Sequence, residues 1–186
     1  MHSLLHRSLL VTLLVITTSA VALADSPQAF ELADHGALTL LMPEGWVGEM
    51  KQPRSQLSPT ITVAPRSGAK FAITITARWP TASARNILDN NTIRSEVAGA
   101  AKSAESQSVE GILALQEIKG VDGRGFYFAA TDRAPKPGEA KYLTQGIIRV
   151  GGISLAFTIL TNDGQETVVR SALDMLRTAV HRQNGN

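Results

Sequence analysis

The stretch YLTQGIIRVGGISLAFTIL, residues 142–160, decides the fold. Two long runs rich in apolar residues, Tyr142 to Val150 and Ile153 to Thr161, flank the pair Gly151-Gly152. Paired glycines adopt the backbone angles of a tight two-residue turn, and β-branched and aromatic residues favour strands. The sequence therefore predicts two long antiparallel strands joined as a hairpin.

Shorter segments with alternating apolar and polar residues lie before this hairpin. They predict six further strands: Phe30–Ala33, Leu38–Met42, Thr60–Ala64, Phe71–Arg78, Ile112–Ile118 and Gly125–Thr131. The turn sequence Asp34-His35-Gly36 joins the first two strands, and Pro65 to Gly68 joins the next two. In Phe71–Arg78 the alternation places Ile73 and Ile75 on one face of the strand and the threonines on the other. Lys51 to Pro59 is polar and predicts a loop.

Two regions carry helical signals instead. Ser83 is predicted to cap a first helical stretch, which Asn90 and Asn91 interrupt. Apolar residues at helical spacing follow at Ile93, Val97, Ala101 and Ala104, and again at Val169, Ala172, Leu173, Leu176, Ala179 and Val180. Asp163 and Glu166 have the spacing of a capping box before the last helix. Strands, helix, strands and a final helix predict an α+β domain around a mainly antiparallel sheet.

The N-terminus has the pattern of an export signal. An apolar run from Leu9 to Ile16 is followed by Ala22-Leu23-Ala24, the small-x-small pattern of a signal-peptidase site. We predict a signal peptide at residues 1–24 and a single domain at residues 25–186, located in the periplasm or secreted. The run is shorter than the about 20 residues of a membrane-spanning helix, and no second such segment follows. A retained N-terminal anchor is the alternative.

The composition narrows the class of protein. The sequence has no cysteine, which excludes a lipoprotein anchor and any disulfide framework. It carries 18 basic and 16 acidic residues, and removal of the predicted signal peptide takes away one of the basic residues, Arg7. The mature chain is therefore close to neutral and has no run of lysine and arginine. We expect no nucleic-acid partner.

The sequence offers little catalytic chemistry. The predicted mature chain has two histidines, His35 in a predicted turn and His181 at the end of the predicted last helix, so neither is expected beside a nucleophile. Asp34 and His35 with the distant His181 could bind a metal, but no ligand spacing supports such a site. The glycines within residues 120–125 precede a strand, which favours a turn over a phosphate cradle. We predict no enzyme activity, no cofactor and no metal site.

Four quoted segments carry a family resemblance. In their sequence and in their order along the chain, they resemble the PsbP/Mog-like superfamily. The segments are LTLLMPEGW (residues 38–46), GRGFYFAATD (123–132), the hairpin at 142–160 and ETVVRSALDMLRTAV (166–180). The branch that they resemble most is that of the bacterial exported DcrB-like proteins. The resemblance implies a compact α/β/α sandwich with an antiparallel sheet flanked by helices. It also implies a protein that binds other proteins or assists assembly, without a catalytic motif.

The two tryptophans are interpreted first as core residues. Pro43 ends its strand because it has no amide donor, Gly45 permits a reversal, and Trp46 can then cover the core. Ligand stacking by Trp46 is the alternative. Trp79 precedes a proline and follows Arg78, which favours more exposure than for Trp46.

Two surfaces are candidates for binding. The loop from Asp132 to Lys141 is charged and contains two prolines, although it could be a solvated connection only. A polar sheet face is predicted to bring together Thr74, Thr76, Arg78, Tyr127 and Arg149, although a helix or water could cover it. The candidate binding residues are Arg78, Trp79, Tyr127, Arg133, Lys136, Lys141 and Arg149.

These observations leave three function classes. The first is an exported, non-enzymatic accessory protein that binds a partner protein in the cell envelope. The second is an immunity or inhibitor protein against a secreted toxin, which fits a small exported domain. The third is a small-ligand carrier or an unrecognised enzyme, which a deep pocket with perturbed ionisable groups would favour.

Overall fold

The computed structural model describes residues 25–51, 58–68 and 70–183. The predicted signal peptide and most of the predicted loop from Lys51 to Pro59 lie outside the described residues. The strands are β1 Ser26–Glu31, β2 Ala37–Met42, β3 Trp46–Lys51, β4 Thr60–Pro65, β5 Ala72–Arg78, β6 Gln116–Gly120, β7 Gly123–Thr131, β8 Tyr142–Val150, β9 Ile153–Thr161 and β10 Val180–Arg182. The α-helices are α1 Asn90–Ala104 and α2 Glu166–Arg177. No helix in these ranges is both long and apolar enough to span a membrane.

The strands form two antiparallel sheets. The larger has the order β3-β4-β5-β9-β8-β7-β6, and the smaller has the order β1-β2-β10. The predicted hairpin lies inside the larger sheet, where Val150 pairs with Ile153 and Tyr142 with Thr161. Gly151 in its turn has φ +55, which glycine adopts without strain. The predicted α+β class with a mainly antiparallel sheet is confirmed.

The larger sheet separates two hydrophobic clusters. On one side, α2 and the small sheet pack against it, and Leu38, Ile75, Phe157 and Leu176 are among the buried residues. On the other side, α1 packs on β7 and β8 around Ile93, Val97 and Phe128. The layers are therefore α1, the large sheet, and α2 beside the small sheet. This is the sandwich with helices on both sides that the family resemblance implied.

The start of α1 differs from the prediction. Asp89, not Ser83, is the N-cap: its carboxylate accepts hydrogen bonds from the backbone amides of Asn91 at 2.9 Å and Thr92 at 3.0 Å. The predicted first helical stretch is a series of turns, in which the Ser83 hydroxyl lies 3.2 Å from that of Thr81. The asparagine pair begins the helix rather than interrupting it, because the preceding aspartate satisfies the free amides.

The end of the chain also differs. The helix α2 stops at Arg177, and Val180 belongs to β10, which pairs with β2. Asp163 is not a cap, because its carboxylate accepts hydrogen bonds from the Lys141 ammonium at 2.8 Å and the Tyr142 hydroxyl at 2.6 Å. Gln165 occupies the cap position without a side-chain cap hydrogen bond. The capping-box prediction was therefore wrong.

Two strands near the edges of the large sheet were also misjudged. The sequence analysis did not predict β3, which begins at Trp46. Trp46 packs on Phe71 with ring centroids 4.6 Å apart and is half-buried against the core, in line with a core-covering role. The strand β6 starts at Gln116, four residues later than the predicted start, and Ile112 is 82% exposed. The segment before β6 is irregular chain because it runs outside the sheet.

The outer edge of β3 is occupied by a side chain from β1. The Gln28 amide nitrogen donates to the Gly48 carbonyl at 2.8 Å, and the Gly48 amide donates to Gln28 Oε1 at 3.4 Å. A Cβ atom at Gly48 would lie 2.7 Å from Phe30 Cζ, so this close approach requires glycine. The Gln28 side chain thus satisfies backbone groups that face away from β4.

Candidate functional site

The two sides of the large sheet are covered unequally. On the α1 side, the described residues leave β3, β4 and β5 uncovered, and Thr62 and Thr74 are exposed. Five threonines from three adjacent strands point to this side: Thr60, Thr62, Thr74, Thr76 and Thr158. The hydroxyls of Thr60 and Thr76 lie 3.3 Å apart. We call this surface of β3, β4, β5 and β9 the open face.

A cleft of about 360 Å³ runs between the open face and α1. Its floor includes Thr74, Thr76 and Arg78 of β5, and its wall includes Glu96, Val97 and Ala100 of α1. Alternation along β5 accounts for the floor, because Ile73, Ile75 and Ala77 take the opposite face into the core. The cleft is therefore polar along β5, whereas Phe128, Ile147 and Ala156 make its floor apolar toward β7, β8 and β9.

Arg78 is the charged residue that joins the two walls of the cleft. Its Nη1 donates to Glu96 Oε2 at 2.9 Å, and the two side chains are 26% and 37% exposed. The other two nitrogens of the guanidinium, Nε and Nη2, are enclosed and have no partner in the described structure. Most buried polar groups in proteins are hydrogen-bonded, so this arrangement is unusual.

Two further enclosed polar atoms belong to the same row of the sheet. Ser154 on β9 pairs with Arg78 on one side and with Arg149 of β8 on the other. Ser154 Oγ and Arg149 Nε have no partner among the described residues. Directly paired residues in antiparallel strands point to the same face, so these three side chains share the α1 side of the sheet.

Tyr127 does not share this face, contrary to the prediction. It packs against the cluster under α2, whereas its neighbour Phe126 packs against the cluster under α1. Its hydroxyl donates to Gln116 Oε1 at 2.7 Å. Side chains alternate along a strand, so an error of one residue in the expected register moves a residue to the other face.

Trp79 also lies away from the cleft. Its ring stacks on His35, with centroids 3.8 Å apart and an interplanar angle of 21°. Both rings line a separate pocket of about 410 Å³ together with Asp34 and His181. Trp79 is half-buried, so the partial exposure predicted for it is found, and Trp46 is half-buried as well.

The structure brings the two histidines together, which the sequence analysis did not expect. His181 lies in β10 and is 9% exposed, and its Nε2 is 2.7 Å from the His35 carbonyl. Its Nδ1 has no partner, and no hydroxyl in the described chain hydrogen-bonds to either imidazole. Among the described residues, no three His, Asp or Glu side chains are grouped so that they could hold a metal. The three-residue strand β10 was too short to give a periodic signal.

The loop between β7 and β8 was the other predicted binding surface. Arg133 Nη2 donates to the Ser108 carbonyl at 2.7 Å, and Lys141 pairs with Asp163. Lys136 contacts Glu139 of its own loop at 4.0 Å, and its side chain is 81% exposed. Two of the three predicted loop cations therefore hold neighbouring segments, and Lys136 points into solvent.

The ionisable groups with shifted pKa values lie outside the cleft. The Lys141 ammonium lowers the pKa of Asp163 by hydrogen bonding, and the Asp163 carboxylate raises the pKa of Lys141. The hydrogen bond from Lys102 lowers the pKa of Glu105. Burial raises the pKa of Glu110, but hydrogen bonds from Thr131 outweigh it and leave this pKa below its ordinary value. These groups form ion pairs and tethers rather than an acid and base pair at one site.

Comparison with known proteins gives a fold and no close relative. No protein-family model and no curated protein matches the chain. The structure is similar to the solution structure of cyanobacterial PsbP (CyanoP) from Synechocystis sp. PCC 6803, with a TM-score of 0.50 and 10% sequence identity. The match covers 89% of this chain and 98% of that one. The protein therefore has a PsbP-like fold.

Proposed function

We propose that this protein is an exported, non-enzymatic accessory protein that binds a partner protein of the cell envelope through its open face. The observation that carries the proposal is the uncovered, threonine-rich part of the large sheet. Sheet faces in compact domains are usually packed against another layer or exposed as a polar surface. Here an exposed surface lies beside a cleft that contains an incompletely paired arginine.

The chemistry of the cleft favours binding over catalysis. It contains threonine hydroxyls, Arg78 and Glu96, and none of the histidines in the described part of the chain lines it. A hydroxyl nucleophile needs a general base within hydrogen-bond reach, and Glu96 is held by Arg78. Hydroxyls and a guanidinium are well suited to hydrogen-bond the polar groups of a polypeptide.

The proposal includes export of the protein and its membership of the DcrB-like branch. The signal-peptide pattern at residues 1–24 supports export, and the PsbP-like fold supports the wider family relationship. We propose that the chain is closest to the DcrB-like branch, on the sequence segments quoted above. Intact-mass measurement of the protein from its native envelope tests export. The expected mass is that of a chain that begins at Asp25. The mass of a chain that retains residues 1–24 would indicate an anchor.

The open face can be tested with one blocking substitution and a matched control. Thr74→Arg places a long charged side chain on the exposed surface of β5, and Thr167→Arg places the same side chain on the exposed surface of α2. Each tagged variant is used to capture proteins from envelope extract, and captured proteins are quantified by mass spectrometry. We expect a partner that wild type and Thr167→Arg retain and Thr74→Arg loses.

The identity of that partner separates the remaining function classes. An envelope protein supports the accessory role, whereas a secreted toxin assigns the protein to the immunity or inhibitor class. Equal capture by both arginine variants would reject the open face as the binding surface. Failure of wild type to enrich any protein over an untagged control would reject the proposal as a whole.

A further inference from the structure

The row formed by Arg78, Ser154 and Arg149 contains enclosed polar atoms that have no hydrogen-bond partner in the described structure. We propose that this row recognises a carboxylate of the partner protein and that Glu96 competes with that carboxylate for Arg78. The inference rests on the proposed function, since it names the chemical group that the open face would recognise.

The register of the sheet brings these residues together. Arg78 and Arg149 are both paired with Ser154, from opposite sides. Adjacent strands lie about 4.7–4.9 Å apart, so the backbones of the two arginines are separated by roughly 10 Å. Both side chains are long enough to reach over the serine between them. Arg78 is the member of the row that lines the cleft, and Ser154 and Arg149 follow it across the sheet.

The polar atoms of this row lack the partners that burial normally demands. Ser154 is 0% exposed and its Oγ is unpaired, as are Nε and Nη2 of Arg78 and Nε of Arg149. Guanidinium nitrogens only donate hydrogen bonds, and the hydroxyl can also donate. Leaving such donors enclosed without an acceptor is costly. An oxygen-bearing anion that enters the cleft would supply acceptors to Arg78 first, because Arg78 is the member of the row that lines the cleft.

Charge and geometry favour a carboxylate. Arg78 and Arg149 carry two positive charges, and Glu96 carries one negative charge. One further carboxylate leaves the group neutral, whereas a phosphate with about −1.5 to −2 charges makes it negative. Glu96 uses Nη1 of Arg78, so Nε and Nη2 are the donors left for a planar carboxylate. They lie on one edge of the guanidinium and can donate two parallel hydrogen bonds once that edge is opened to the cleft.

Glu96 controls access to this edge. Arg78 and Glu96 both line the cleft, so a carboxylate that enters the cleft meets their ion pair first. The enclosed nitrogens become available when the guanidinium turns away from Glu96. Removing the charge of Glu96 should therefore strengthen binding, which is the opposite of what the loss of a binding residue does.

Acetate titration of the full mature protein tests the site directly. Enclosed arginine Nε–H groups exchange slowly with water, so Arg78 should give a resolved signal in nitrogen-proton correlation spectra. Acetate should shift this signal saturably, and sodium chloride at the same ionic strength should not. Backbone amide signals of α2, on the other side of the sheet, provide the control and should not shift saturably. Sodium phosphate is the second arm and should bind more weakly than acetate.

Two variants give opposite expected results. Glu96→Gln should tighten acetate binding about threefold to tenfold, the equivalent of one hydrogen bond to a competing acceptor. Arg78→Lys keeps the charge but loses the two-donor edge, and it should abolish saturation of the acetate response at Arg149. If Arg78→Lys does not fold, the comparison of wild type with Glu96→Gln still decides.

The outcomes separate this inference from the proposed function. No saturable acetate shift in wild type or Glu96→Gln would overturn the inference, as would tighter binding of phosphate than acetate to wild type, where Glu96 is charged. Partner capture that Thr74→Arg abolishes and Arg78→Lys leaves intact would keep the open face and reject carboxylate recognition by this row. Capture unaffected by either variant would reject both proposals.

Discussion

The two sides of the large sheet are held in different ways. On the α2 side, two layers meet the sheet, and residues such as Leu38, Ile75 and Leu176 are fully buried. On the α1 side, one helix covers β7 and β8, and threonines occupy the open face. Burial of apolar area stabilises the first side, and a smaller apolar cluster with several polar tethers holds α1 on the second.

The polar contacts of α1 lie along the helix and beyond its last turn. Asp89 caps the helix's own first turn, and Glu96, in the middle of the helix, binds Arg78 of β5. Beyond its last turn, Arg133 binds the Ser108 carbonyl, and Glu110 accepts hydrogen bonds from Thr131. Each such contact contributes far less to the free energy of unfolding than a fully buried large side chain does. Displacing α1 for a partner therefore costs less free energy than displacing α2 would.

The largest expected effect is on the α2 side. Leu176 is 0% exposed, so Leu176→Ala should lower the free energy of unfolding by about 2–5 kcal/mol. Arg170→Ala on the exposed side of the same helix should change it by about 0.5 kcal/mol or less. Urea unfolding of both variants measures the difference. Similar values for the two would mean that α2 does not pack as described.

The next effect concerns the start of α1. Asp89→Ala removes the N-cap and should cost about 0.5–2 kcal/mol. Ser83→Ala, at the position that the sequence predicted as the cap, should cost about 0.5 kcal/mol or less. Thermal unfolding followed by circular dichroism compares them. A larger loss from Ser83→Ala would restore the original prediction.

A smaller effect is expected at the other end of α1. Arg133→Ser breaks the hydrogen bond to the Ser108 carbonyl and should cost about 0.5–1.5 kcal/mol. Lys136→Ser in the same loop should leave stability within about 0.5 kcal/mol, because that side chain points into solvent. If Lys136 contacts an acidic partner, its loss should weaken capture most at low salt. Equal stability of the two variants would show that Arg133 is not a tether.

The smallest effect is a pH dependence at Glu110. Its pKa in the folded protein is below the ordinary value of 4.5, so the unfolded chain binds the proton more tightly. The associated stability is present above about pH 4.5 and is lost as pH falls through the folded pKa. Glu110→Gln should remove this part of the acid-side loss, which is less than about 1 kcal/mol because the carboxylate is largely exposed. Identical acid unfolding of variant and wild type would contradict the assignment.

Much of the fold followed from local patterns in the sequence. The strands β8 and β9 have the predicted bounds, because long apolar runs and a glycine pair specify them without other information. The strand β10 was missed because it has only three residues. The strand β3 is as long as β2 and β4, but its sequence WVGEMK has no clear alternation, and its pairing with β4 fixes it. Such pairings depend on residues distant in sequence, which no local pattern contains.

Less of the candidate site could be predicted from the sequence, because its residues also come together through contacts between distant parts of the chain. Alternation placed Arg78 with the threonines of β5, since one strand is enough for that inference. The face of Tyr127 depends on the register of β7 against its neighbours, and the prediction was wrong there. Glu96 was not singled out, because its contact with Arg78 depends on how α1 lies across the sheet.

The contact between Gln28 and Gly48 has a consequence for the behaviour of the chain among its own copies. An edge strand such as β3 offers free backbone amides and carbonyls, which can template the addition of a strand from another molecule. The Gln28 carboxamide already donates to and accepts from Gly48, as a neighbouring strand would. Self-association along this edge would first have to displace that side chain. Gln28 therefore protects the protein against aggregation at the end of the sheet nearest the open face.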